Sequence, residues 1–185
     1  MAETIRGKAY VMGDDIDTDQ IIPAEHLVYS MTDPEERKLY GKLANSGVPA
    51  GQRGLPDGNI NFVAEGTHLS DYQIIIGGKN YGCGSSREHA PFALAEAGAK
   101  AVVAEFYARI FYRNCVNGGF LVPLESETRM IERISTGDDV EIDFDASKLT
   151  NHSTGERFDL KPLGDAKPII DAGGVFAYAK QAGML

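Results

Sequence analysis

The sequence contains no tryptophan and only two cysteines, Cys83 and Cys115, among its 185 residues. The two cysteines form no CxxC pair, and a chain of this class rarely depends on a disulfide framework. Two thiols cannot supply the ligands that an iron–sulfur cluster usually takes. The 4 histidines are scattered, without an HExxH or His-x-His pair, so we expect no self-contained metal site.

Positive charge and long apolar runs are also scarce. Lys and Arg number 18 against 27 Asp and Glu, which gives a formal net charge of −9. This balance argues against a nucleic-acid partner, which needs a basic face, and against docking on an anionic membrane. No stretch approaches the ~18–20 apolar residues of a membrane span, and the start carries no apolar leader. We therefore expect one cytoplasmic domain over residues 1–185, since domains usually run ~100–200 residues.

Short apolar stretches bounded by glycine, proline or polar residues predict strands. Two of them, 73–76 and 101–104, are almost wholly apolar, which is typical of strands buried on both faces. Strands alternate with helical segments, and this order predicts an α/β fold with a parallel sheet and right-handed crossovers. The predicted strands are 8–12, 73–76, 101–104, 120–123, 139–144 and 157–160, and the predicted helices are 35–43, 87–97, 107–114, 125–134 and 173–182.

The region from 31 to 66 is polar and rich in turn residues, including Asp33-Pro34 and Val48-Pro49. Long segments of this kind are often functional or mobile. Because the region has little periodic apolar content, we expect it to bury little surface and to be mobile in the free chain.

A glycine-rich turn follows the strand at 73–76. In open parallel sheets, ligands bind outside the carboxyl ends of the strands. Gly82 and Gly84 allow the backbone to approach a ligand closely. Ser85 and Ser86 stand where a helix N-cap is expected, and Arg87 would open the helix with a guanidinium suited to a carboxylate. Together these residues predict an anion site, whereas the serines alone would indicate simple helix capping.

Other chemistries remain open for this turn. The Walker, dinucleotide-binding and Gly-x-Ser-x-Gly patterns all fail here. Cys83 could be a nucleophile, although a small packed cysteine is more common. His89 could be a base, although a helix residue with a satisfied ring is more common. A Cys or Ser hydrolase and a non-catalytic anion-binding module therefore stay as alternatives.

An acidic loop follows the first strand. Asp15, Asp17 and Asp19 match the first ligand positions of an EF-hand, but Gln20 replaces its glycine and His26 its bidentate glutamate. We therefore reject a calcium site. The carboxylates that remain could orient an arginine or a reacting hydroxyl, and turn or cap chemistry accounts for Asp14 and Asp15.

Four motifs taken together are specific: DTDQIIPA at 17–24, NYGCGSSREHA at 80–90, YARIFYRN at 107–114 and DAGGVFAYA at 171–179. By these motifs the chain resembles the small subunits of isopropylmalate dehydratases, which correspond to the swivelling domain of the aconitase superfamily. The resemblance implies a single three-layer β/β/α swivelling domain, with a variable substrate-loop insertion at about 31–66.

The resemblance also implies an activity. Such a hydro-lyase moves a hydroxyl between neighbouring carbons of a small dicarboxylate, interconverting 2- and 3-isopropylmalate in leucine biosynthesis. This chain would bind neither metal nor cofactor, and a large subunit would carry a four-iron four-sulfur cluster. By motif position Ser85 is the expected base, Asp19 a second catalytic residue, and Ser86 and Arg87 the holders of a substrate carboxylate.

Substrate choice is expected in the loop that contains Val28 and Tyr29. Relatives that act on homologous tricarboxylates tend to carry an arginine where Val28 stands, and valine instead offers apolar contact to an isopropyl group. His26 departs from the more usual tyrosine. The resemblance leaves related small subunits open, those of homoaconitase and of citraconate or dimethylmalate hydratase.

Overall fold

The computed structural model describes residues 4–185, which form seven strands and six α-helices. The strands are β1 (Thr4–Val11), β2 (Tyr72–Ile76), β3 (Ala101–Ala104), β4 (Val122–Glu125), β5 (Asp139–Asp143), β6 (Lys148–Asn151) and β7 (Arg157–Asp159). The helices are α1 (Thr18–Ile21), α2 (Pro34–Leu43), α3 (His89–Glu96), α4 (Arg109–Gly118), α5 (Lys167–Ala172) and α6 (Val175–Gln181). No helix within these residues is both long and apolar enough to span a bilayer.

Strand β1 joins two layers of one sheet, ordered β4-β3-β2-β1-β5-β6-β7. Its second half pairs in parallel with β2, and its first half pairs antiparallel with β5. The register shifts between Lys8 and Ala9, where the strand passes from one partner to the other. The parallel layer β4-β3-β2-β1 and the antiparallel layer β5-β6-β7 can therefore pack face to face.

Alternation along β1 divides the core between the two faces of the parallel layer. Tyr10 and Met12 pack with residues of the helices, and Ala9 and Val11 pack with residues of β5 and β6 such as Ile142. All of these side chains are buried. Successive side chains of a strand point to opposite faces, so one strand serves both cores. The order helices, parallel layer, antiparallel layer confirms the predicted three-layer β/β/α architecture.

The predicted helix at 125–134 is wrong. Strand β4 ends at Glu125, and a series of turns follows. In the first turn, the hydroxyl of Ser126 accepts a hydrogen bond from the amide of Thr128 at 3.0 Å. Met130 and Ile134 are buried in the core shared by the two layers of the sheet, so their helix-like spacing serves core packing. Strand β6 was not predicted, because it has few apolar residues and depends on pairing with β5 and β7.

The segment at 31–66 contributes more to the core than the sequence indicated. Tyr40, Val48 and Phe62 are buried, so the expectation of little burial is wrong. The Tyr10 hydroxyl donates to the carbonyl of Ile60 at 2.7 Å and ties the segment to the sheet. Its mobility in the free chain stays a prediction, to be tested by amide exchange.

An ion-pair cluster fixes the acidic loop after β1 to the irregular segment after β4. Arg129 donates to Asp14 at 2.9 Å, to Glu105 at 2.7 Å and to Glu132 at 2.7 Å. The hydrogen bond from Arg129 is the main reason why the pKa of Asp14 is lowered, with burial acting in the opposite sense. The cluster should therefore stabilise the fold only while Asp14 is ionised.

We expect Arg129→Gln to raise the pKa of Asp14 toward 3.8, its ordinary value. Because the folded-state pKa lies below the unfolded value, this stabilisation is fully present above that value and is lost as the pH falls through the lowered pKa. The variant should thus lose less stability on acidification than the wild type. Carboxyl titration by NMR and melting curves at acidic pH measure both effects. Arg6→Gln, which removes the partner of Asp139, is the control, and an unchanged Asp14 pKa in Arg129→Gln would refute the assignment.

Candidate active site

The loops after β1 and β2 meet at the carboxyl edge of the parallel layer. Asp17 and Cys83 form an isolated parallel bridge. The Thr18 amide donates to the carbonyl of Cys83 at 2.9 Å, and the Gly82 amide donates to that of Ile16 at 2.7 Å. Backbone pairing thus holds the acidic loop beside the glycine-rich turn.

Asp17 has a structural task in this arrangement. As the N-cap of α1, its carboxylate accepts a hydrogen bond from the amide of Asp19 at 2.5 Å. The side chain of Gln20 accepts in return from the Asp17 amide at 2.9 Å, which completes a capping box. The Asp17 carboxylate is thereby used to cap α1, whereas the side chain of Asp19 remains 52% exposed.

The structure brings two of the predicted site residues into direct contact. Arg87 donates from Nη1 to Oδ1 of Asp19, although the residues lie 68 positions apart. The Arg87 side chain is only 18% exposed, so its guanidinium is held by packing as well as by the carboxylate. A guanidinium has five N–H donors, and those not used by Asp19 can bind a second carboxylate.

Ser85 and Ser86 are exposed, but they do not cap a helix. Helix α3 begins at His89, and its N-cap residue Glu88 makes no side-chain capping bond. The expectation that Arg87 opens this helix is therefore wrong. The cause lies in the neighbouring loop, because the Thr18 hydroxyl donates to the carbonyl of Ser85 at 2.9 Å and holds the turn outside the helix. Pro91 was the available signal, since proline is tolerated in the first helical turn, where amides are free anyway.

Two glycines make the close approach of the loops possible. Gly82 has a φ of +74°, and an added Cβ would lie 2.2 Å from Cγ of Phe111. Gly84 has a φ of +88°, and its Cβ would lie 2.5 Å from a carboxylate oxygen of Asp17. Side chains other than hydrogen are thus excluded at both positions by backbone conformation and by space.

A surface cavity of about 460 Å³ contains part of the predicted site. Ser86 and Arg87 line it, whereas Ser85 and Asp19 lie outside its lining; the other lining residues are Leu27, Glu88, His89 and Asn114. Leu27 and Asn114 were not predicted as site residues. Asn114 could have been suspected, because α4 follows β3 and therefore starts at the same edge of the sheet.

The neighbouring residues of the predicted substrate loop have different surroundings in the structure. Val28 is 78% exposed and lies outside the lining of this cavity. Tyr29 packs edge-on against Tyr40, whose hydroxyl donates to the carbonyl of Tyr29 at 2.7 Å. Leu27, the residue before Val28, is the one that faces the cavity. Val28 is thus free to contact a ligand or a partner, while Tyr29 is held in place.

The thiols and the nearby imidazole are poorly suited to nucleophilic catalysis. Burial, followed by the charges of Asp17 and Asp15, raises the pKa of the Cys83 thiol. Burial also lowers the pKa of His89, with Arg87 acting in the same sense and Glu88 against it. Within residues 4–185 no hydrogen bond joins the Ser85 hydroxyl to His89. The structure therefore disfavours the hydrolase alternative.

The donor atoms of the described chain do not fit an iron–sulfur cluster. Burial raises the pKa of Cys115 well above its ordinary value, and its side chain is enclosed in the helical core. No set of three His, Cys, Asp or Glu residues within 4–185 is arranged to hold a metal ion. No step of the chemistry is therefore assigned to a cluster on this chain.

Comparison with known proteins gives one consistent family. The family model described as the aconitase C-terminal domain matches residues 38–129. The chain is 53% identical to 3-isopropylmalate dehydratase small subunit 3 of Arabidopsis thaliana, over 99% of this chain and 71% of the relative. It is 37% identical to the isopropylmalate/citramalate isomerase small subunit of Methanocaldococcus jannaschii, over 98% and 96%. A crystal structure of 3-isopropylmalate dehydratase from the same archaeon superposes with a TM-score of 0.77 at 36% identity, covering 98% of this chain and 96% of that one.

Proposed function

Because the chain belongs to the family of 3-isopropylmalate dehydratase small subunits, we propose that it forms the smaller half of a hydro-lyase. The enzyme interconverts 2-isopropylmalate and 3-isopropylmalate by dehydration and rehydration, a step of leucine biosynthesis. The observation that carries this proposal is the 53% identity to a named small subunit over 99% of the chain. The contact between Arg87 and Asp19 beside two exposed serines supports it with a site of suitable chemistry.

Ser85 is proposed as the base that takes a proton from the carbon next to a substrate carboxylate. A serine hydroxyl is normally far too weak an acid for this task, so its alkoxide must be stabilised by neighbouring positive charge. Helix α3 begins at His89, four residues after Ser85, so Ser85 is not at the helix N-terminus, where free amides would stabilise its alkoxide. The stabilisation is therefore assigned to Arg87 and to groups of the large subunit that face the exposed turn.

Arg87 and Ser86 are proposed to hold a substrate carboxylate. Negative charge builds on the substrate when the proton leaves, so a cation at that carboxylate stabilises the transition state more than the ground state. Asp19 contributes by orienting the guanidinium, and by taking one of its donors it directs the others. The net charge of −9 repels a dianion, which makes this local cation necessary for binding.

The large subunit is proposed to supply the Lewis acid, in the form of a four-iron four-sulfur cluster that assists departure of the hydroxyl. The cysteine arrangement of this chain supports that division, because Cys83 and Cys115 are separated and their thiols are held protonated. We also propose that the chain works in the cytoplasm, with neither nucleic acid nor membrane as a partner. The acidic composition supports the last two points.

A related hydro-lyase is the second candidate. The archaeal relative that is 37% identical is named for citramalate as well as isopropylmalate. Homoaconitase and citraconate or dimethylmalate hydratase use the same chemistry on substrates that differ in the side group. Discrimination between these substrates should depend on apolar or charged contacts to the side group, and Val28 is the residue proposed to make them.

Reconstitution tests the proposed function. The purified chain alone should be colourless, folded and inactive on isopropylmalate, because it offers a base without a Lewis acid. Addition of the cluster-loaded large subunit from the same organism should restore isomerisation, with the large subunit alone as the control. The assignment would be contradicted by activity of this chain alone, or by a mixture that leaves isopropylmalate unchanged and turns over citraconate or homoaconitate instead.

We expect Val28→Arg to shift preference from isopropylmalate toward a tricarboxylate substrate. Arginine can pair with a third carboxylate, and it would meet an isopropyl group with a desolvated charge. The measurement compares kcat/KM of reconstituted enzymes on isopropylmalate and homoaconitate. Val28→Met, which adds length without charge, is the matched control. If the ratio of kcat/KM values moves equally in both variants or not at all, Val28 is not the selector.

A further inference from the structure

A second cavity, of about 210 Å³, lies behind α1 and is separate from the residues assigned to the dehydratase site. It is bounded by the end of α2 and by the segment at 53–63. Its polar lining comes from Lys42, Asn45, Ser46, Arg53 and Asn61. None of the residues from 4 to 185 that line it is acidic.

Asn45 is the unusual member of this group. The residue is 3% exposed, yet neither Nδ2 nor Oδ1 has a hydrogen-bond partner within the described chain. The backbone of Asn45 lies in the left-handed region with a φ of +61°. Its backbone amide, unlike its side-chain amide, has a partner, because it donates to the carbonyl of Ile21 at 2.7 Å. Buried amides are nearly always hydrogen-bonded, so this side chain points to an occupant of the cavity that supplies both an acceptor and a donor.

The charges at the cavity identify the chemistry of that occupant. The Nε atom of Arg53 is also buried and has no hydrogen-bond partner among the described residues. Its Nη2 donates to the neutral side chain of Asn59 at 3.2 Å. Neither Arg53 nor Lys42 forms an ion pair with any residue from 4 to 185. Glu65 lines an adjacent cavity together with Lys42, but these two side chains form no ion pair either. Two unneutralised cations around one cavity, in a chain of net charge −9, favour an anion.

We propose that this cavity binds a small oxyanion of the phosphate class. The ammonium of Lys42, the Nε of Arg53 and the Nδ2 of Asn45 donate to its oxygens, and its protonated oxygen donates to Oδ1 of Asn45. Monohydrogen phosphate satisfies both atoms of the Asn45 amide, whereas sulfate carries no proton at neutral pH and leaves Oδ1 without a donor. The volume of about 210 Å³ accepts inorganic phosphate or the phosphate group of an ester.

The site is connected to the helix that carries Asp19. Asn45 is bonded to Ile21, and the amide of Gly47 donates to the carbonyl of Gln20 at 2.9 Å. An anion that orders the segment after α2 therefore also restrains α1. The binding test does not depend on dehydratase activity, so it can fail or succeed independently of the proposed function.

Calorimetric titration of the full chain with sodium phosphate and with sodium sulfate, at constant ionic strength set by chloride, tests the proposal. Phosphate should bind, and sulfate should bind more weakly. Lys42→Met should weaken phosphate affinity by about tenfold or more, because it removes a charge-assisted hydrogen bond. Lys38→Met is the matched control, since Lys38 lies on the same helix and pairs with Glu35 at 2.7 Å outside the cavity; it should change the affinity less than about twofold.

Asn45→Gly tests the side-chain amide of Asn45. Glycine tolerates the positive φ, so the variant removes the side chain without straining the backbone. This variant should lose the preference for phosphate over sulfate. Amide NMR spectra should show phosphate-dependent shifts at residues 42–48 in the wild type. Absence of phosphate binding would indicate a water-filled cavity and overturn the proposal. Equal weakening in Lys42→Met and Lys38→Met, or shifts confined to other residues, would indicate an adventitious ion only and overturn it as well.

Discussion

Ser85→Ala is expected to lower kcat of the reconstituted enzyme by about 10²–10⁴-fold, the usual contribution of a positioned base. The hydroxyl is exposed and makes no hydrogen bond within residues 4–185, so its removal should leave the fold and subunit assembly intact. The carbonyl of Ser85, which accepts from Thr18, is retained in alanine. The loss should therefore appear in turnover, with the melting temperature and the affinity for the large subunit nearly unchanged.

Ser86→Ala is the matched control for this experiment. Ser86 has the same chemistry and exposure, but it lines the cavity with Arg87 and is proposed to hold substrate. Its loss should raise KM more than it lowers kcat. A decrease of less than about tenfold in kcat for Ser85→Ala would assign the base to another residue or to the large subunit.

Gly82→Ala is expected to destabilise the isolated chain by about 3 kcal/mol. The alanine would have to adopt a φ of +74°, which costs roughly 1–2 kcal/mol for a residue with a Cβ. Its Cβ would also overlap the side chain of Phe111, whose Cβ, Cγ and Cδ2 all lie within 2.6 Å of it. Overpacking of this kind typically costs about 1–3 kcal/mol. Phe111 is fully buried, so the ring has little room to withdraw.

Gly155→Ala separates the two contributions. Gly155 has a similar φ of +81°, but an added Cβ would meet no atom of residues 4–185 within 4 Å. Its substitution should therefore cost only the backbone strain, roughly 1–2 kcal/mol. Urea unfolding curves of both variants give the difference between the two free energies of unfolding. If Gly82→Ala is no less stable than Gly155→Ala, close packing against Phe111 is not what demands glycine in the turn.

Local sequence patterns were sufficient for the central strands and for the composition of the site. β2 and β3 were predicted at 73–76 and 101–104 and are observed at Tyr72–Ile76 and Ala101–Ala104. Strands buried on both faces need no polar alternation, so an unbroken apolar run identifies them. The turn residues Gly82 and Gly84 stood out for a similar reason, because positive φ and close approach leave few other choices.

Patterns that depend on distant partners were misread. The spacing of Met130 and Ile134 resembles that of a helix, although it reflects burial in the core shared by the two layers of the sheet. The polar composition of 31–66 concealed four apolar core residues, Tyr40, Ala44, Val48 and Phe62. In both segments the local sequence carries few apolar residues, and their burial is decided by the surfaces against which they pack.

The sequence by itself determined the family and the residue types available at the turn, because both are encoded in motifs of neighbouring residues. The three-layer architecture followed from the resemblance to that family, whereas periodicity alone predicted only an α/β fold with a parallel sheet. Only the tertiary structure decided that α3 begins at His89, that Arg87 contacts Asp19, and that Asn45 and Arg53 share a cavity. The hydrogen bond from Thr18 to Ser85 spans 67 residues and the ion pair from Arg87 to Asp19 spans 68. Contacts of this range follow from how two loops meet at the edge of a sheet, and no local spacing specifies that meeting.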